Sequence, residues 1–363
     1  MSVPFEERGG ALRGLLDAVC GRLPRFVIGG SVPERTLPVF HFHDVTPGDF
    51  EPQLRYLAEN GYQTVIADDI AAHARGERTL KGRVVGLCFD DAWASLWTVA
   101  KPLLERYTMR AIAYAIPARI EDAAACRESD TASAGSPFVT WPELKALHAS
   151  GVVDVQSHTE THSMIFTSSS IVGFVTPEYA ALPMLNRPQL LPLPDLTFLQ
   201  PEELGAPLYS ARSRMSDGRR VEAPDDVRRR CVEYVAREGG PSFFERMDWQ
   251  DRLRDVAIPR QGRSARSESD DARDQAIEQE LDRGRAELNE RLRTNSVRHI
   301  CLPWGVSGST TLRALKRVGY ESAFANRMEG SFAVERGDDP FWLKRLPNKY
   351  IFSLPGRGRR TWI

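Results

Sequence analysis

Four side chains at two distant places in this chain could together hold and use a divalent cation. The stretch Val84 to Asp91, VVGLCFDD, is an apolar run that ends in two adjacent carboxylates, Asp90 and Asp91. Much further along, Val153 to Ile165, VDVQSHTETHSMI, turns polar at Ser157 and presents His158 and His162, four residues apart. Charge is costly to bury unless it is paired, hydrogen-bonded or bound to a metal. A strand that leaves the core into two aspartates therefore suits the C-terminal mouth of a parallel barrel, where α/β enzymes keep their chemistry. Taken alone, the acidic pair reads equally well as a turn in which Asp91 caps the helix near Trp93. A lone HxxxH is as often a pair of surface histidines. On one helical turn, however, the two imidazoles share a face and can grip one ion. With a carboxylate from another strand end they make a His–His–Asp set, suited to Zn²⁺ or a similar divalent metal. A second carboxylate that does not ligate can take a proton from water.

The elements that must position these groups follow an alternating pattern. Leu37 to Val45, LPVFHFHDV, reads as a strand with His41 and His43 on one face. Phe50 to Gly61 reads as a helix, Thr64 to Ile66 as a short strand, and Arg83 to Asp91 as the central strand. A helix over about Trp93 to Tyr107, a strand at Arg110 to Ile116 and a polar loop over Ile120 to Pro137 follow. The next helix, Trp141 to Ser150, carries Thr140 as N-cap and Glu143 at its capping-box position. Strands at Val152 to Gln156 and Val297 to Leu302, a helix at Thr310 to Val318 and a strand at Ser322 to Ala325 complete a parallel α/β pattern. Between them the pattern dissolves from Phe166 to Pro259, and Gln261 to Thr294 reads as a long charged helix. An amphipathic helix is expected over Ala11 to Leu23.

Composition narrows the class. A chain of 363 residues can bury one large core plus an insertion. Its formal net charge of −1 gives no sign of a nucleic-acid partner, since the arginine-rich patches are interleaved with acids. Five separated cysteines, Cys20, Cys88, Cys126, Cys231 and Cys301, argue against a disulfide framework and for a reducing compartment. No leader-like apolar region precedes Pro33 and no segment approaches transmembrane length, so a cytoplasmic location is expected. Oligomeric state is not readable. His73, His148 and His299 are expected at the surface, and Trp93 and Trp141 in packing roles.

The order FDD, then SHTxxH, then PWG resembles the polysaccharide deacetylases, the NodB-homology carbohydrate esterases. FHDV at Phe42 to Val45 and CLPWG at Cys301 to Gly305 resemble, in particular, the permuted subgroup that acts on poly-N-acetylglucosamine. The likeness covers roughly residues 37–165 and 297–350. It implies an α/β fold, a distorted (β/α) barrel of the NodB-homology type with a long insertion. The expected division is an N-terminal helical extension at 1–36, the barrel at 37–165 and 297–363, and a substrate-shaping insertion at 166–296. The resemblance further implies that Asp90 is the general base and that Asp91, His158 and His162 hold the metal: Zn²⁺, or Co²⁺, Ni²⁺ or Mn²⁺. Ser157 and Thr159 would position these groups, and the Trp304 backbone N–H would stabilise the oxyanion. His43 would be the general acid, with His41 as the alternative.

Two departures stand out. The family's third motif begins with an arginine that orients the base, and Cys301 occupies that position here; no histidine follows His299, so the usual late Leu-x-His motif is missing. The implied activity is removal of an N-acetyl group from an acetamido sugar or glycan. The alternatives are removal of another small acyl group such as formyl, or a catalytically silent glycan-binding module. In the insertion, Leu204 to Tyr209 with Arg212 and Arg214 reads either as a basic lid for an anionic substrate or as a structural flap.

Overall fold

The computed structural model describes residues 23–128, 135–258, 265–325 and 332–361. The helix expected over Ala11 to Leu23 lies, except for Leu23, outside the described residues, as does Cys20. The described chain forms two compact units: residues 23–161 with those from Glu278 onward, and His162–Ile277.

The first unit is built on eight parallel strands, β1 (Val39–Phe42), β2 (Gln63–Val65), β3 (Val84–Asp91), β4 (Ala111–Ala115), β5 (Val153–Ser157), β6 (His299–Cys301), β7 (Ser322–Phe324) and β8 (Leu346–Pro347). They lie in the order β7-β6-β5-β4-β3-β1-β8, with β2 paired to the first residues of β3. A single bridge between Phe324 and Leu343, three residues before β8, joins the two edges. This is the distorted (β/α) barrel the sequence predicts. Parallel strands are covered on both faces, which is why β3 is apolar until its last two residues, Asp90 and Asp91.

Alternation then decides where each side chain goes. Val85, Leu87 and Phe89 face the helical layer, where Phe89 stacks on Phe42 at 4.9 Å and meets Phe50 edge-on at 5.4 Å. Cys88 faces a second buried cluster with Val39, Ile112, Tyr114, Cys301 and Phe324. Asp90 shares that inward parity. Gly86, on the same face, fits closely: a Cβ there would lie 3.0 Å from Ile70 Cδ1 and Val39 Cγ1, so those side chains would have to shift to admit it.

The helices of this unit are α1 (Pro47–Glu59), α2 (Ala67–Ala74), α3 (Lys101–Arg106), α4 (Trp141–Ala149), α5 (Asp270–Leu292) and α6 (Ser309–Val318). The boundary between the units falls inside α5, after Ile277. The helix expected from Trp93 begins instead as a π-helical turn, Leu96–Ala100, that runs into α3. α4 starts on the predicted capping box of Thr140 and Glu143. Its Glu143 is fully buried and also binds Arg127, whose Nε donates to Oε1 at 2.7 Å.

The second unit holds more order than its sequence suggests. Met164–Phe174 pairs antiparallel with Pro207–Ser213, with irregular register on either side of Tyr209. The helices Asp225–Arg237 and Trp249–Val256 pack beside it around Phe174, Cys231, Val235, Phe243 and Leu253. Arg214, expected on a basic lid, is buried and bound to Glu268 Oε2 at 2.7 Å, so its charge is spent internally. Arg212 is exposed.

Burial alone would raise the Glu143 carboxyl, but Arg127 and the backbone N–H groups of Thr140 and Arg127 outweigh it and lower its pKa. A carboxylate lowered on folding stabilises the fold above its unfolded pKa, and that stability is lost as pH falls through the folded value. Glu143→Gln should therefore be less stable than the parent chain at about pH 6, with the gap closing toward about pH 3. Thermal melts of both proteins across that range check this.

Candidate active site

The site residues lie at the C-terminal ends of β1, β3, β5 and β6. Asp90 is buried and points inward between two cationic or polar neighbours. Arg345, just before β8, grips it with both arms: Nη1 donates to Oδ1 at 2.6 Å and Nη2 to Oδ2 at 2.7 Å. The same guanidinium lies over the rings of Phe324 (5.2 Å) and Tyr114 (5.8 Å) and donates to Cys301 Sγ at 2.9 Å. Burial alone would raise the Asp90 carboxyl; the guanidinium outweighs it and holds the group well below the usual carboxylate range.

Arg345 thus corrects the expectation that Asp90 lacks an arginine partner. The family's position is taken by Cys301, and a residue from the far end of the chain reaches the same carboxylate. Nothing in the local sequence around Arg345, LKRLP, marks it; only the parity of a short edge strand brings it inward.

Asp91, next in the chain, leaves in another direction because it adopts φ 67°, followed by Ala92 at φ 57°. Its Oδ1 comes to 3.3 Å from His158 Nε2. His158 follows β5, and its backbone N–H donates to the Ala115 carbonyl at 2.8 Å, prolonging the ladder with β4 by one bond. Its Nδ1–H donates to the Cys301 carbonyl at 2.6 Å, which fixes the ring and turns Nε2 toward Asp91. One ligand atom from each of Asp91, His158 and His162 lies within 4.8 Å of the others, and all three residues are buried.

The two histidines do not meet on a helical turn, as the spacing suggested. Residues 158–163 are irregular, and Thr159 (φ 67°) and His162 (φ 55°) take left-handed conformations that fold the second imidazole back. Helix α5 braces this loop. Glu280 Oε1 accepts from the Thr161 N–H and hydroxyl at 2.6 and 2.7 Å, and the Glu280 carbonyl accepts from Glu160 N–H. Gly284 lets the backbones touch, since a Cβ there would sit 2.8 Å from Glu160 N and Thr159 C.

These residues fit a metal. Nε2 faces a carboxylate oxygen 3.3 Å away, a pair that calls for positive charge between the two atoms, supplied either by a proton on Nε2 or by a metal ion that replaces it. Burial opposes charge on His158, yet the Cys301 thiol and Asp91 outweigh it and lift its pKa well above the usual imidazole value. Two nitrogens and one carboxylate oxygen are a zinc-type donor set. A second grouping, Asp90, His158 and Cys301, has similar spacing, but the Arg345 guanidinium already supplies the cation there.

Around this centre, His43 is largely exposed, with Nε2 3.9 Å from Asp90 Oδ2. His41 lies beside it, edge-on at 5.7 Å. Burial and then the Arg345 charge push its pKa down to about 3, so it stays neutral. Trp304 sits in a tight turn after β6, Pro303–Gly305, at φ 53°. Asp44 is exposed, and Ser157 and Thr159 are buried.

Two histidines expected at the surface are internal. His73 is buried and bonds the Arg35 carbonyl through Nε2 at 3.0 Å. His299 is buried between Asp68 Oδ1 and Ser322 Oγ, both at 2.8 Å, at the end of the barrel remote from Asp90. A single histidine in a helix or at a strand start carries no sequence signal of its burial.

Breaking a buried ion pair strands the surviving charge. Arg345→Met should destabilise the protein by about 3–5 kcal/mol. The double variant Arg345→Met/Asp90→Asn should recover part of that loss, as read by chemical denaturation of the three proteins.

Comparison with known proteins finds similarity to polysaccharide deacetylases. The family model described as polysaccharide deacetylase matches residues 77–189. The chain is 27% identical over 140 residues to the poly-beta-1,6-N-acetyl-D-glucosamine N-deacetylase of Escherichia coli K12, covering 38% of this chain but only 21% of that relative. The BpsB deacetylase domain from Bordetella bronchiseptica superposes with a TM-score of 0.54 at 15% identity, over 87% of this chain and 97% of that one. A de-N-acetylase from Aggregatibacter actinomycetemcomitans gives 0.51 at 18% identity, over 86% and 95%. The chain is thus similar in sequence to polysaccharide deacetylases over residues 77–189, and shares the fold of solved deacetylase structures over most of its length.

Proposed function

We propose that the chain is a divalent-metal-dependent hydrolase that removes the N-acetyl group from N-acetylglucosamine units of a glycan. The observation that carries this reading is the pairing of two sites at one barrel mouth. An ionised carboxylate locked by Arg345 stands beside a buried Asp–His–His set that fits Zn²⁺. The Escherichia coli relative's name supports the sugar; acceptance of that sugar by this chain is part of the proposal.

Asp91, His158 and His162 would hold the cation, which when bound would serve as a Lewis acid toward the acetyl carbonyl. Asp90, kept ionised by Arg345, takes the proton of the attacking water as general base. The Trp304 backbone N–H is assigned to the developing oxyanion, a role for which a fixed donor in a tight turn is suited. His43 then gives a proton to the departing amine. Its exposure and its 3.9 Å distance from Asp90 favour it over His41, which is held neutral beside a cation.

With Arg345 in place, the missing third-motif arginine no longer argues for a silent module. Purified protein with added Zn²⁺ or Co²⁺ should release acetate from short N-acetylglucosamine oligomers, whereas release only from N-formyl sugars would favour the deformylase alternative. Asp90→Asn should lower kcat by roughly 10²–10⁴-fold while metal content is retained. Unchanged turnover would remove Asp90 from the base role.

A general acid matters most when the leaving group is poor. His43→Ala should cost about 10²-fold or more on the acetamide but little on an activated aryl acetate, which needs no protonation on departure. Equal losses on both substrates would show that His43 does something other than donate that proton.

A further inference from the structure

Trp93 lies two residues beyond Asp91, and the left-handed pair Asp91 and Ala92 folds it back over the strand end. The reversal brings its indole Nε1–H to 3.0 Å from Asp91 Oδ2, to which it donates. The other oxygen of the same carboxylate, Oδ1, faces His158 Nε2 at 3.3 Å. A carboxylate tied through one oxygen presents the other in a fixed direction, and such outer contacts tune how well a ligand set holds its metal.

The indole is itself held in place. Its ring packs on Phe138 at 4.8 Å with the planes 33° apart. Two backbone bonds clamp the neighbouring strands, Ala94 N–H to the Pro137 carbonyl and Val139 N–H to the Ala92 carbonyl, each 2.9 Å. Behind them, Arg127 donates to the carbonyls of Ser136 (3.0 Å) and Phe138 (2.7 Å). Arg127 is anchored on the buried Glu143 that caps α4. An unbroken line of contacts therefore runs from α4 through Phe138 and Trp93 to one oxygen of Asp91.

We propose that Trp93 is the positioning residue for the Asp91 ligand, and that the Glu143–Arg127–Phe138 bracket sets the affinity of the site for its cation by holding that indole. The proposal rests on the reading of Asp91, His158 and His162 as the cation site. A Trp that served only as packing would affect the fold; one that aims a ligand affects metal binding at constant fold.

The test uses the full chain stripped of metal by a chelator. Zn²⁺ affinity is read by competition with a chromophoric chelator, and Co²⁺ is followed by its visible absorption. Trp93→Phe should weaken Zn²⁺ binding by about 10–100-fold and alter the Co²⁺ bands. The melting temperature of the metal-free protein should stay within about 2 °C of the parent. Phe138→Leu, which keeps the indole N–H but loosens its ring, should weaken Zn²⁺ in the same direction by about 2–10-fold.

Parental Zn²⁺ affinity and Co²⁺ spectrum in Trp93→Phe would overturn the proposal. If that variant does not fold, Phe138→Leu decides, and parental affinity there overturns it. Asp91→Asn separates this failure from a deeper one. Tight binding by the parent, weak binding by Asp91→Asn and unchanged binding by Trp93→Phe would sink the role of Trp93 alone. A parent that takes up no Zn²⁺, or an Asp91→Asn variant that binds as tightly, would sink the cation site and the proposal with it.

Discussion

Two carboxylates adjacent in the chain, both buried, need two separate positive partners, and the rest of the site follows from how this is met. Strand alternation sends Asp90 into the barrel interior, where Arg345 closes on it with two hydrogen bonds. A left-handed backbone turns Asp91 away, toward His158. Arg345 thereby keeps the Asp90 carboxylate ionised in surroundings that would otherwise neutralise it. Buried ion pairs contribute little net stability, yet losing one partner is expensive, so such a pair fixes geometry more than it adds to folding. What it fixes is one carboxylate, Asp90, beside but apart from the Asp91, His158 and His162 cluster.

The strain of that arrangement is concentrated at the site. Among the described residues, five of the eight non-glycine positions with positive φ are Asp91, Ala92, Thr159, His162 and Trp304. Side chains with a Cβ avoid this region at a cost of about 1–2 kcal/mol each. They hold it here because neighbouring elements overdetermine them: α5 braces the histidine loop, and the strand contact with residues 137–139 braces Asp91 and Ala92. Strained backbone clustered at one barrel mouth is the expected mark of a preorganised site.

The barrel and the residues of the Asp91, His158 and His162 cluster were legible because each rests on short-range pattern. Strands β1, β3, β4 and β5 are apolar runs ending in turn residues, and α4 carries its capping box in plain sequence. Arg345 was not legible, since its inward direction depends on a two-residue edge strand more than 250 positions from its partner. The long antiparallel pair of the second unit is not legible because its middle, Thr167 to Gly173, is mostly polar, with no residue fully buried and no alternation. The histidine loop was drawn as a helical turn because spacing alone cannot distinguish a turn of helix from two left-handed kinks. Trp93 reads as packing in sequence, and only coordinates reveal its bond to the Asp91 carboxylate.

The central claim is that one cation is shared by residues 91, 158 and 162 while Asp90 stays bound to Arg345. Anomalous diffraction at the zinc edge, from crystals of the full chain grown with Zn²⁺, tests it directly. The account predicts one strong peak about 2.0–2.2 Å from an Asp91 oxygen and from one nitrogen of each imidazole, with Asp90 outside the coordination shell. A peak bound by Asp90 and Cys301 instead, or no peak among these residues at saturating Zn²⁺, would contradict it.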